Sequence, residues 1–307
     1  MLVEKRRMEA SARITCNFLG LKEGDTALLC LPLDYIAGKM MVVRALTCGL
    51  KLIAVDPSSH PLKSTQKDCN ATLSKREPSL LCTFAAMVPM QVWNSLQVPE
   101  ERQRLMDIRH LIIGGGAIDE SLAAALADFP HNVWSTYGMT ETLSHIALRR
   151  LNGPERSEWY TPFDGVRVSL SDEGCLVIDA PAVCDAPLTT NDIAVVEQGR
   201  FRILGRKDNV ICSGGIKIQI EEVERRLHPH TCVPYLITKA PDPQLGEQVV
   251  LLTESADTES LKALCRSVLP RYWQPRRFVT VEHLPLTATG KPARKEAERM
   301  ARGVSNR

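Results

Sequence analysis

The sequence is poor in the features that mark several large protein classes. Aromatic residues make up only 5% of the 307 positions, and the formal charge is +2. Lysine and arginine are spread along the chain rather than gathered in a stripe, so the electrostatic footprint of a nucleic-acid binder is missing. No run approaches the roughly 20 apolar residues of a membrane span. The amino terminus, MLVEKRRMEASARITCNFLGL, is charged where a signal peptide needs its apolar stretch. No export or anchoring is expected, and the cytoplasm is the default compartment. Ten cysteines (Cys16, Cys30, Cys48, Cys69, Cys82, Cys175, Cys184, Cys212, Cys232 and Cys265) form no CxxC pair. Without metal-ligand spacing they read as small buried hydrophobes of a reducing compartment.

What the chain does have is alternation. From Thr26 to about Trp134, short apolar runs take turns with longer amphipathic ones: TALLCLP, YIAGKMMVVRALTCG, KLIAVD, helix-like AAMVPMQVWNSL, HLIIGGG and ESLAAALADF. This pattern predicts an α/β sheet with covering helices. Upstream, Met8, Ala12 and Leu19 followed by Gly20 predict an amphipathic helix that stops near the glycine, so the chain begins inside a fold. Past Trp159 the texture changes to GVRVSL, GCLVI and IAVVEQGRFRIL, the short strands of a β-rich subdomain. After Gly205 comes a smaller piece. It reads strand, helix (IEEVERRL), strands (YLITKAP, EQVVLLTE), helix (TESLKALCRSVL), strand (RRFVTVEHL) and charged tail. A boundary at Arg206 to Asp208 divides the chain into domains 1–205 and 206–307, joined by a junction short enough to act as a hinge.

Four strings stand out: STYGMTET (135–142), TTND (189–192), GRKDNVICSGGIKIQIEEVE (205–224) and PLTATGKPARKE (285–296). Singly they read as a strand end before an N-capped helix, a turn, a glycine hairpin and a basic solvated tail. In this order and spacing they resemble the adenylate-forming, AMP-binding superfamily of acyl-CoA synthetases. Its motifs run YGxTE, TGD, GRxxDxxxxxGxxIxxxEIE and PxTxxGKxxR. The resemblance implies an α/β adenylate-forming fold: a truncated large domain with its β-rich subdomain, and a small α+β carboxyl-terminal lid domain. It also implies an AMP-forming acid–thiol ligase that uses ATP, Mg²⁺ and coenzyme A. A carboxylate attacks the α-phosphate to give an acyl adenylate, and the CoA thiol then displaces AMP.

By that resemblance Thr140 binds the α-phosphate and Glu141 holds Mg²⁺, offsetting phosphate charge. Tyr137, with Gly138 beside it, lies along the adenine. Asp192 and Arg206 grip the ribose hydroxyls as acceptor and donor. Gly114, Gly115 and Gly116 form a turn where bare backbone approaches the nucleotide. Lys291 cancels charge at the reacting carboxylate and phosphate. Asp208 marks the hinge, and Ser213, Gly214 and Gly215 leave room for the pantetheine arm of CoA. The chain reads GGIKIQIEE where family ligases commonly have GGENIYPxE, a departure on the thiolation side.

The segment LPLDYIAGKMMVVRAL resembles bacterial o-succinylbenzoate ligases of menaquinone synthesis, whose helix carries an arginine facing the substrate's free side carboxylate. Here that residue is Arg44, a suitable bidentate donor; spacing alone reads it as a surface helix cation. Ser144 and His145 are candidates to line the acyl pocket, although a lone histidine in an apolar helix more often serves packing. Another aryl or acyl acid is the alternative substrate. The largest departure is a missing Ser/Thr/Gly-rich loop ending in lysine, which in this superfamily cradles the outer phosphates. Either the chain is a shortened version of a working ligase, or the short form binds AMP and CoA without efficient adenylation. A sheet cut partway leaves apolar edges uncovered, implying poor folding or association into a homo-oligomer.

Overall fold

The computed structural model describes residues 3–63, 82–116, 118–287 and 291–303. Helix α1 (Lys5–Leu19) buries Ser11, Ala12, Thr15, Cys16 and Leu19 on one face and stops at Gly20. That spacing is the single stripe of an amphipathic helix. The predicted alternation follows as β1 (Thr26–Leu29), α2 (Ile36–Cys48), β2 (Lys51–Ala54), β3 (Phe84–Met87), α3 (Pro89–Gln97) and α4 (Pro99–Met106). It continues with β4 (His110–Ile113), α5 (Glu120–Leu126), β5 (Asn132–Gly138), β6 (His145–Arg150) and β7 (Thr161–Pro162).

These strands form one sheet in the order β2-β1-β3-β4-β5-β6-β7. The pairings up to β5 are parallel, and β6 and β7 add antiparallel. Strands β3 and β4 are buried along their whole length, as parallel strands covered on both faces must be. Two expectations are corrected here. AAMVPMQVWNSL is not one helix, because its first residues complete β3 and Pro89 opens α3, where a missing N–H costs nothing. The residues after STYG do not form a helix either. The Thr142 hydroxyl accepts from the Met139 N–H at 3.0 Å and donates to the Ser144 carbonyl at 2.7 Å. These bonds close a tight turn, and the chain returns as β6, so His145 lies on a strand.

A second sheet, ordered β11-β10-β9-β8, contains β8 (Arg167–Leu170), β9 (Cys175–Asp179), β10 (Leu188–Glu197) and β11 (Arg200–Arg206). A 3₁₀ turn, Lys207–Asn209, leads into β12 (Val210–Ser213), β13 (Ile216–Gln219), α6 (Ile220–Leu227), β14 (Tyr235–Asp242) and β15 (Gly246–Thr253). Then come α7 (Thr258–Val268), β16 (Arg277–Thr280) and α8 (Arg294–Gly303). The third sheet runs β13-β12-β15-β14, with β16 parallel on β15. Alternate residues of its strands feed two cores: Ile237 and Leu251 join Val223 of α6 and Leu261 of α7, while Leu236 and Val250 join Ala297 and Ala301 of α8. The charged tail is therefore a helix, held by two small residues one turn apart.

The chain separates into two compact units, one of residues 1–169, 177–189 and 196–202, the other of residues 170–176, 190–195 and 203–307. The nine described cysteines are free, and Cys69 lies outside the described residues. Among the described residues no helix is long and apolar enough to cross a membrane.

In the second unit, Arg294 donates to both oxygens of Glu224 at 2.7 and 2.6 Å and to the Ile237 carbonyl at 3.0 Å. Glu224 in turn accepts from the Ile237 N–H at 3.0 Å. Arg294→Ala leaves this carboxylate without its partner and is expected to cost about 2–3 kcal/mol, read as an earlier unfolding transition in urea. An unchanged transition would mean the pair is not what fastens α8.

Candidate active site

In the first unit the structure brings Arg44, Ser144 and His145 together. Arg44 lies on α2 and is 1% exposed, so the surface-cation expectation from spacing is overturned. Its Nη2 donates to the Ser144 hydroxyl at 2.7 Å and to the Thr15 hydroxyl at 3.4 Å. Its Nη1 faces the Met41 sulfur at 3.8 Å, and its buried Nε has no hydrogen-bond partner among the described residues. Burial pushes Arg44 down to about 10, which leaves it charged at neutral pH. Among the described residues no carboxylate pairs with it. The nearby Cys16 thiol, pushed up to about 12 by burial and by Cys48, supplies no thiolate to neutralise it. His145 touches Ser144 through Nδ1 and Thr15 through Nε2, both at 3.1 Å. Burial, and Arg44 beside it, hold this histidine well below the usual range, so it is neutral.

The sequence reading missed Thr15, which is fully buried. Its signal was present: Ser11 and Thr15 are polar residues on an otherwise apolar stripe.

Beside this cluster, β5 and its turn carry Tyr137, Gly138, Thr140 and Glu141. The Tyr137 ring packs edge-on against Phe201 at 5.0 Å and tilts toward Tyr160 at 5.8 Å. Gly138 is required by close approach. A Cβ there would meet the Ser144 carbonyl oxygen at 2.2 Å and the His145 Cα at 2.4 Å, backbone atoms that cannot rotate aside. Thr140 and Glu141 are exposed at the tip of the turn. Gly114, Gly115 and Gly116 follow β4, the parallel neighbour of β5, and a Cβ on Gly114 would strike the Thr136 hydroxyl at 2.2 Å. Both groups sit at the carboxyl ends of adjacent parallel strands, where α/β sheets bind ligands.

In the second unit, Arg206 reaches Asp192 at 3.7 Å and Asp208 at 3.2 Å, so it lies between its expected ribose partner and the residue expected at the hinge. Ser213 pairs with Ile216, and Gly214 and Gly215 between them have φ of +58° and +83°, as a two-residue hairpin loop demands. Lys291 is exposed, and its backbone is tied to Thr287. The Thr287 N–H donates to the Lys291 carbonyl at 2.7 Å, and the Lys291 N–H donates to the Thr287 hydroxyl at 3.1 Å. Arg294, three residues on, donates to Glu224.

Among the described residues no group of three His, Cys, Asp or Glu side chains could hold a metal. A lone carboxylate such as Glu141 does fit Mg²⁺, which takes one or two protein carboxylates and fills its remaining positions with phosphate oxygens and water.

This architecture has known relatives. Residues 4–180 match the family described as AMP-binding enzyme, and the chain belongs to that family. It is 28% identical to the 2-succinylbenzoate–CoA ligase of Geobacillus kaustophilus, covering 92% of this chain and 62% of that protein. A solved acyl-CoA synthetase (AMP-forming)/AMP-acid ligase II-like protein from Dyadobacter fermentans is 33% identical, with a TM-score of 0.61 over 96% of this chain and 83% of that one. The o-succinylbenzoate coenzyme A synthetase of Bacillus subtilis, in complex with ATP and magnesium ion, shares the fold at 22% identity. Its TM-score is 0.73 over 94% of this chain and 65% of that chain. The chain thus spans about 60% of the length of the curated relatives it matches.

The neutral histidine has a thermodynamic signature. The folded pKa of His145 is depressed, so its contribution is complete above the unfolded value near 6.5 and is lost as pH falls below it. His110, lowered by burial and by Arg109, adds in the same direction. Stability is therefore expected to drop between pH 7.5 and 5.5, by up to ~1.4 kcal/mol per unit for each histidine below about 6.5. His145→Gln should remove one histidine's share, measured by urea unfolding at the two pH values; equal slopes in variant and parent would contradict a neutral buried His145.

Proposed function

We propose that the protein is an ATP-dependent acid–CoA ligase and that its acid carries a second carboxylate, as o-succinylbenzoate does. Family membership supports the reaction class. The observation that supports the acid is Arg44: it is a buried guanidinium with no carboxylate partner among the described residues, which is costly, and a substrate carboxylate would offset it. The names of the curated relatives agree with this choice.

In this proposal one carboxylate of the acid docks on Arg44 beside Ser144 and the other is activated. Tyr137, Gly138 and the Gly114–Gly116 turn receive the adenine, with Asp192 and Arg206 toward the ribose. Thr140 hydrogen-bonds the α-phosphate, and Glu141 would hold Mg²⁺, which supplies charge neutralisation at the phosphates. Lys291 places an ammonium at the carboxylate–phosphate junction, where negative charge gathers as the acyl–phosphate bond forms and pyrophosphate leaves. Residues 206–307 then act as a mobile lid about Asp208, bringing Ser213, Gly214 and Gly215 to the pantetheine arm.

Incubation with ATP, Mg²⁺, CoA and o-succinylbenzoate is expected to yield the CoA thioester and AMP by mass spectrometry. Comparable affinity for AMP and ATP with no thioester from any acid would instead favour a nucleotide-binding role. Lys291→Ala should slow adenylate formation about 100-fold while thioester formation from preformed adenylate changes little. Equal loss in both half-reactions would sink this division of labour.

A further inference from the structure

Thr15 stands at the head of a chain of hydrogen bonds whose directions can be assigned one after another. Its hydroxyl lies 3.1 Å from the Ser11 carbonyl, one turn back on α1. A carbonyl only accepts, so the single hydroxyl proton goes there. The oxygen then has lone pairs for its two other neighbours, Arg44 Nη2 at 3.4 Å and His145 Nε2 at 3.1 Å. Nε2 must therefore carry the imidazole proton. In a neutral ring this leaves Nδ1 bare, and the Ser144 hydroxyl, 3.1 Å away, donates to it. With its proton committed, Ser144 turns a lone pair to Arg44 Nη2 at 2.7 Å. Thr15 and Ser144 thus both accept from the same guanidinium nitrogen, one from each side.

We propose that Thr15 is a positioning residue for acid recognition: it fixes His145 as the Nε2–H tautomer, which turns Ser144 and so aims Arg44. This rests on the reading of Arg44 as the acid's docking group, although the tautomer itself does not. Without the Thr15 oxygen, Nε2–H would be a buried donor lacking an acceptor. The ring would gain by moving its proton to Nδ1 and donating to Ser144, which frees the serine proton and loosens the hold on the guanidinium.

The test uses the full chain labelled with ¹⁵N-histidine, with the His145 signals assigned by their loss in His145→Gln. Ring nitrogen couplings are expected to show Nε2–H in the parent and in Thr15→Ser, and a shift toward Nδ1–H in Thr15→Val. In steady-state assays Thr15→Val should raise KM for the acid about tenfold with KM for ATP and kcat little changed, and Thr15→Ser should restore it. Nδ1–H in the parent would overturn the proposal whether or not Thr15→Val folds. So would an Nε2–H signal and acid KM unaffected by Thr15→Val. A correct tautomer shift in a protein that turns over no acid would instead locate the failure in the ligase reading.

Discussion

A single positive charge, sealed inside the first unit with no carboxylate among the described residues to meet it, sets the terms for the elements around it. Arg44 is carried inward by α2, while α1 supplies Thr15, the turn before β6 supplies Ser144, and the first residue of β6 is His145. These partners are neutral: two hydroxyls and an imidazole that burial keeps deprotonated. They orient the guanidinium without discharging it. A protein seeking stability alone would do better with an apolar residue at this position, and that cost is the ground of the proposed acid site. The turn that delivers Ser144 and His145 is the same one that presents Thr140 and Glu141 at its tip. One tight reversal, possible because residue 138 has no Cβ, therefore serves both the proposed acid site and the proposed phosphate site.

In the second unit the proposed site includes an exposed lysine. Lys291 is anchored through its own backbone to Thr287. The helix that follows is fixed by the Glu224–Arg294 pair. Glu224 closes the third sequence motif and Arg294 belongs to the fourth, so two residues seventy positions apart converge on one hydrogen-bonded fastening. Their spacing in sequence reflects the intervening β14, β15 and α7 that bring them into register.

Much of this was legible in the amino-acid order. The apolar stripe of α1, the strand–helix alternation and the run of strands after Trp159 follow from periodicity, because each element buries one face. What escaped were features decided by tertiary contact. AAMV reads as helix or strand with equal ease, and the parallel neighbours β1 and β4 settle it as a strand. Thr140 and Glu141 suit a helical first turn, yet the Thr142 hydroxyl takes up the backbone groups of that segment. Arg44 looked like a solvated cation because no sequence window reports that α1 and β6 cover it. The tail's basic composition hid Ala297 and Ala301, the two residues that make it a packed helix.

The central claim is that Arg44 awaits a carboxylate, and it can be tested without turnover. The protein is titrated calorimetrically with a non-reactive acyl-sulfamoyl adenosine whose acyl group ends in a free carboxylate, and with the methyl ester of the same compound. The account predicts tighter binding of the free acid by roughly 10- to 100-fold, the range of a hydrogen bond to a charged group, with the difference lost in Arg44→Met. Equal affinity for acid and ester in the parent protein would contradict it.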